Sequence, residues 1–163
     1  MVMESDNRSA KMALWQGYLQ THTTIIQLLE TELQQALNLP LLWYDTLNHL
    51  NNHPQWGLRL QDLADAINLS QSGLTRLLDR MTEANLVERK PCSEDRRGLY
   101  AHITATGRAK LQQATPVYLS VLDKHFLRYL SCEEVNALLK VFSNIAQMES
   151  VGVKNESADS AGL

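Results

Sequence analysis

Between Met81 and Leu86 the repeat of apolar residues along this chain changes period. Upstream, Leu74, Leu77, Leu78 and Met81 recur at i, i+3, i+4 and i+7, the pattern of a helix with one buried face. Downstream, Leu86 to Lys90 reads as extended, and so do Leu99, Ala101 and Ile103 alternating with Tyr100 and His102. The polar stretch from Pro91 to Gly98 lies between them and predicts the loop of a β-hairpin. Ser70 stands where its side-chain oxygen can cap the helix by accepting from an unpaired first-turn N–H. Ser72, Thr75, Arg76 and Asp79 fall largely on the opposite side from the leucines, a side left free for a partner.

Working outward, a brief helix over Leu60 to Ala66 precedes a tight connection through Ile67, Asn68 and Leu69, and Trp56 to Arg59 reads as a short extended piece. A short helix, a three-residue turn and a capped helix form a helix-turn-helix, whose second helix presents its N-terminal residues to a DNA major groove. Many helix pairs have this outline, so plain helix packing stands beside it as the alternative. Residues 10–37 place Leu14, Tyr18, Ile25, Leu28, Leu29 and Leu33 near helical spacing with no proline before Pro40. Such a helix is about 40 Å long at ~1.5 Å per residue, more than so small a domain can cover, so part of its apolar stripe is expected to pack on another chain. Pro40 suits the first turn of a second helix running to about Leu50. Thr104 can cap a later long helix carrying Leu111, Leu119, Leu122 and Phe126, with a kink expected at Pro116. Ser131 and Glu134 form a capping box for a last helix with Val135, Leu138, Leu139, Phe142 and Ile145. Residues 1–9 and 150–163 read as flexible ends flanking a single domain over residues 10–149.

A length of 163 residues with 44% hydrophobic content suits one core. No apolar run reaches the roughly 18 residues of a membrane span, and the polar first ten residues carry no signal core, so the cytoplasm is the expected compartment. Cys92 and Cys132 are far apart and read as free thiols, with a redox role for Cys92 the lesser alternative. The net charge of −3 is unevenly spread: from Arg59 to Lys110 there are nine Lys/Arg against seven Asp/Glu. The basic excess falls on Arg76, Arg80, Arg89, Lys90, Arg96, Arg97, Arg108 and Lys110, where it can meet phosphates.

The stretch LRLQDLADAINLSQSGLTRLLDRMTEANLVERKPCSEDRRGLYAHITATGRAKL, from Leu58 to Leu111, resembles the MarR family, and the flanking helices extend the likeness to about Ala10 to Met148. Its most specific parts are LS-x-SGLTRLLDRM, then LVER, then DRRG followed by a threonine and Gly107. The resemblance implies a mainly α fold: a winged helix-turn-helix with a small β-hairpin wing, and long N- and C-terminal dimerisation helices at about residues 10–37 and 105–149. The DNA-binding lobe would span about residues 40–104. It implies a homodimeric transcriptional regulator, with repression the base-rate expectation, that reads a palindromic double-stranded operator. Carried over by position, Ser70, Gln71, Ser72, Thr75, Arg76 and Arg80 would meet bases or phosphates, Arg97 would enter the minor groove, Asp95 would orient it, and Arg96 would assist or meet phosphate. For Arg76 a surface ion pair with Asp79 remains the competing assignment. Asn85 departs from a common family glycine, and asparagine tolerates the same left-handed helix terminus.

Relatives of this type commonly answer to small aromatic or phenolic molecules, which points to Trp15, Tyr18, His22, Trp43 and Tyr44, although aromatic residues at helical spacing equally suit core or interface. His49 and His53 have an i, i+4 spacing that can hold a metal, but Pro54 at the helix end and the lack of a glutamate or further histidine in the local sequence argue against it. No nucleophile elbow, glycine-rich phosphate loop or HExxH is present, so neither catalysis nor a cofactor is expected. The competing class is a winged-helix module that binds another protein. It would lack the wing arginines or carry an apolar recognition face, and neither is seen in the sequence.

Overall fold

The computed structural model describes residues 2–53, 57–91 and 99–156. Helix α1 (Val2–Leu37) leads to α2 (Leu41–Asn51), the two-residue strand β1 (Leu58–Arg59), α3 (Leu60–Ala66) and α4 (Gln71–Glu83). Strands β2 (Val87–Pro91) and β3 (Leu99–Ile103) follow, then α5 (Ala105–His125), a 3-10 turn at Leu127–Tyr129, and α6 (Cys132–Glu156). The fold is mainly α with one small antiparallel sheet, the winged helix-turn-helix the sequence implies. Packing divides the chain into two units, Met1–Leu122 and Asp123–Leu163.

In the first unit, Leu29 and Leu33 of α1, Leu47 and Leu50 of α2, Leu63 of α3 and Leu74, Leu77, Leu78 and Met81 of α4 are buried in one cluster with Val87, Ala101 and Ile103 of the sheet. The helical repeat read in α4 is its inner face. The sheet order is β1-β3-β2, with Val87 opposite Ile103, Arg89 opposite Ala101 and Leu58 opposite Ala101 on the other edge of β3. The extended piece before α3 is thus a third strand. Leu99 stands exposed at the distal end of β3, so only Ala101 and Ile103 of its alternating set enter the core.

Helix ends in this unit share one device. Asn38, Asn68 and Asn85 adopt the left-handed conformation, φ 49°, 53° and 57°, just past α1, α3 and α4. Asparagine enters this region at low cost because its short amide can bond locally. After α3 and α4 the next residue turns its N–H back onto the helix, Leu69 to the Ala64 carbonyl and Leu86 to that of Met81, both at 2.9 Å. Ser70 Oγ accepts from the Gly73 N–H at 3.1 Å, and Thr104 Oγ1 accepts from that of Gly107 at 2.9 Å. Two further terminal groups are satisfied from a distance: the Leu41 N–H donates to Glu30 Oε2, and Lys110 Nζ donates to the Leu37 carbonyl, both at 2.7 Å.

Two boundaries differ from those read in the sequence, the start of α1 and the end of α6. Helix α1 starts at Val2, so residues expected as a loose N-terminus continue the helix. Helix α5 runs from Ala105 to His125 with Pro116 inside it, and α6 extends to Glu156, past the expected end near residue 149. In the second unit the Ser131–Glu134 capping box is formed reciprocally: the Ser131 N–H donates to Glu134 Oε2 at 2.8 Å, and the Glu134 N–H donates to Ser131 Oγ at 3.3 Å. Among the described residues, no helix is long and apolar enough to cross a membrane.

Candidate nucleic-acid interface

Helix α4 presents one fully buried side and one open side. Gln71, Ser72, Thr75, Arg76 and Arg80 are exposed, and Ser70 sits exposed at the cap. Most of these side chains are already ordered by local bonds. Thr75 Oγ1 donates to the Gln71 carbonyl at 2.9 Å, Arg80 Nε donates to the Arg76 carbonyl at 3.3 Å, and the Ser70 and Ser72 hydroxyls lie 3.2 Å apart. Gln71 Nε2 donates to Gln61 Oε1 of α3 at 2.7 Å. The competing assignment of Arg76, a surface pair with Asp79, is not formed, because Asp79 is taken by Arg89. Among the described residues, the Arg76 guanidinium has no ion pair.

Arg89 requires a correction to the phosphate-facing group. Strand alternation places Val87 and Arg89 on the same, inward side of β2, against α4. Arg89 Nη1 meets Asp79 Oδ1 at 2.8 Å and its Nη2 donates to the Thr75 carbonyl at 2.9 Å, while its Nε is buried without a bonding partner. Arg89 therefore ties the hairpin to α4 at Thr75 and Asp79. Lys90 pairs with Glu88 at 2.6 Å, and Lys110 closes the end of α1. Arg59 Nε donates to the Tyr100 hydroxyl at 2.7 Å, with the guanidinium 5.7 Å from the ring centroid. Asp95, Arg96, Arg97 and Cys92 lie outside the described residues. Neither Gln61 nor the inward role of Arg89 was read from the sequence: Gln61 meets Gln71 only through the packing of α3 on α4, whereas the period-two step from Val87 to Arg89 was an available signal.

The five aromatic candidates are not gathered into one box. Trp15, Tyr18 and His22 line up on an exposed face of α1, with ring centroids 5.7 Å and 6.1 Å apart in succession. Tyr44 is buried and stacks on Tyr118 at 4.5 Å. Half-buried Trp43 borders an open cleft of about 610 Å³ with Gln34, Pro40, Leu86, Thr106 and Lys110. Among the described residues, no group of three or more His, Cys, Asp or Glu side chains stands together. Cys132 is a free, exposed thiol.

A helix-turn-helix with an open polar recognition face, backed by a three-stranded sheet, defines the winged-helix class. A model of the MarR family matches residues 37–98. AbsC, a MarR family transcriptional regulator from Streptomyces coelicolor, is 31% identical over 86% of this chain and 95% of its own, with a TM-score of 0.78. A second MarR family transcriptional regulator from that organism, solved in complex with DNA, is 24% identical over 85% of this chain and 87% of its own, also at 0.78. A mutant MarR from E. coli complexed with operator DNA shares the fold at 20% identity and a TM-score of 0.71, over 83% of this chain and 95% of its own. This chain belongs to the MarR family.

Proposed function

We propose that this protein is a sequence-specific DNA-binding transcriptional regulator, a repressor and not an enzyme, that acts in the cytoplasm as a homodimer on a palindromic operator. The observation that carries this reading is α4, whose leucine face is locked in the core while Gln71, Ser72, Thr75, Arg76 and Arg80 stand open on the other side. Family membership supports it, as do relatives solved on DNA. In this reading, residues 40–104 form the reading lobe and helices over residues 10–37 and 105–149 hold the dimer. Two copies of α4 enter successive major grooves, and Arg97 of each wing, oriented by Asp95 beside Arg96, enters the flanking minor groove. Repression then follows from steric block of the promoter.

The test is a salt-series fluorescence-anisotropy titration of the native chain and Arg97→Ala against the DNA upstream of its own gene and a random duplex. Specific binding that weakens with salt and falls in the variant is expected. Equal, feeble binding to both duplexes would overturn the reading in favour of a protein-binding module. A small aromatic or phenolic effector completes the proposal, with the exposed Trp15–Tyr18–His22 row as its site. Thermal shifts with small aromatic or phenolic acids that stay the same in Trp15→Ala and His22→Ala would remove it.

A further inference from the structure

We infer that Gln61 positions Gln71 to read an adenine in each half-site, so that two glutamines on different helices set one base of the operator. This rests on the DNA-reading role proposed above. Gln71 is the first residue of α4, the end of a recognition helix that reaches base edges. Its side-chain amide offers two N–H donors and one carbonyl acceptor. One donor is already spent, since Gln71 Nε2 gives a hydrogen to Gln61 Oε1 at 2.7 Å. One N–H and the Oε1 remain, and neither has a partner among the described residues.

The remaining pair selects a base by elimination. In the major groove, adenine presents an acceptor at N7 beside a donor at N6, the complement of one acceptor and one donor. Guanine presents two acceptors, N7 and O6, which would need both Gln71 hydrogens at once. Cytosine offers a single donor and thymine a single acceptor, so neither can be held at two points. Gln61 thus excludes guanine by occupying the second hydrogen, and it also stops the Gln71 amide from rotating. Gln61 is a positioning residue, and Gln71 is the residue that touches the base.

The experiment is selection from a randomised duplex library with the full chain in four forms: native, Gln71→Ala, Gln61→Leu and Gln61→Glu. Both altered positions are exposed, and circular dichroism checks that each variant is folded. The native protein is expected to select half-sites with one adenine preferred about 10- to 100-fold. Gln71→Ala should make that position alone degenerate. Gln61→Leu should admit guanine there, because the second hydrogen is released. Gln61→Glu keeps an acceptor for that hydrogen and should preserve the adenine preference, while its added charge weakens binding to all sequences alike. Replacing the selected adenine by 7-deazaadenine, which lacks the N7 acceptor, should weaken the native protein and leave Gln71→Ala unchanged. The inference is overturned if the position lost in Gln71→Ala is not adenine, or if Gln61→Leu leaves its preference intact. A native protein that selects no consensus at all would instead overturn the DNA-reading role beneath it.

Discussion

Asp45 shows how one side chain on a core helix sets a pH dependence. It is half-buried on α2, and its carboxyl is raised from the ordinary value of 3.8, first by burial, against an opposing contribution from His49 and with a smaller one from Glu30 in the same direction. A carboxyl raised in the folded state favours folding when protonated, and that contribution is lost as pH climbs from the unfolded value through the folded one. At neutral pH the ionised group therefore opposes folding. Asp45→Asn is expected to unfold at higher urea than the native chain at pH 7, with the advantage shrinking as pH falls toward 3.8. Urea titrations across that range check it, and a variant less stable at pH 7 would refute it. Asn85 illustrates a residue choice legible without the structure: its φ of 57° is a conformation that glycine and asparagine share, so the family glycine can be replaced without moving the chain.

At the scale of elements, the question is what fixes α4 relative to the hairpin. Burial of Leu77 and Leu78 in one cluster with Val87 and Ile103 holds the layers together, but apolar contact is non-directional. Arg89 supplies direction by bonding both the Thr75 carbonyl and Asp79. Its side chain is 27% exposed and that of Asp79 is 52%, so solvent screening leaves the ion pair little strength and the carbonyl bond carries more. Arg89→Ala is expected to lower stability by about 1–2 kcal/mol, and Asp79→Ala by less than about 1 kcal/mol. Chemical denaturation of both single variants and the double variant measures this, and equal losses from both would mean that the ion pair dominates. Gly107 serves the same joint from α5: a Cβ there would strike the Leu86 carbonyl, so the helix approaches the start of β2 closely only because the residue is glycine.

For the whole molecule, the exposed apolar residues argue for a second copy. Met12, Leu14 and Leu19 stand open along α1, with Leu14 at 71% exposure. Within α6, Val135, Leu139, Phe142 and Ile145 are exposed at helical spacing. Two such stripes exceed what a monomer ordinarily leaves in water. The native chain is expected to sediment as a dimer at micromolar concentration. Leu139→Glu with Phe142→Glu should shift it to monomer and reduce specific DNA affinity at least tenfold if the proposed operator is a palindrome, each half of which is then read alone. Sedimentation and anisotropy on the same samples check both, and an unchanged dimer would place the contact elsewhere.

Much of this fold was legible because it depends on local chemistry. Leu74 to Met81, the caps at Ser70, Thr104 and Ser131, and the asparagine after α4 all act within a few residues of themselves, where spacing alone carries the information. Resemblance to a family supplied the candidate interface, including Gln71 and Arg76. What the sequence left open depends on contacts between distant residues. The pairing of β1 with β3, the inward turn of Arg89, the Glu30 and Lys110 bonds to helix ends and the Gln61–Gln71 bond each join different elements, whose packing no local period encodes. The sequence by itself determined the helices, the hairpin and the open face of α4, because periodicity and capping are local. Only the tertiary structure decided which cations face outward and which hydrogen Gln71 has to offer, because a side chain's free donors are those its packed neighbours leave unused.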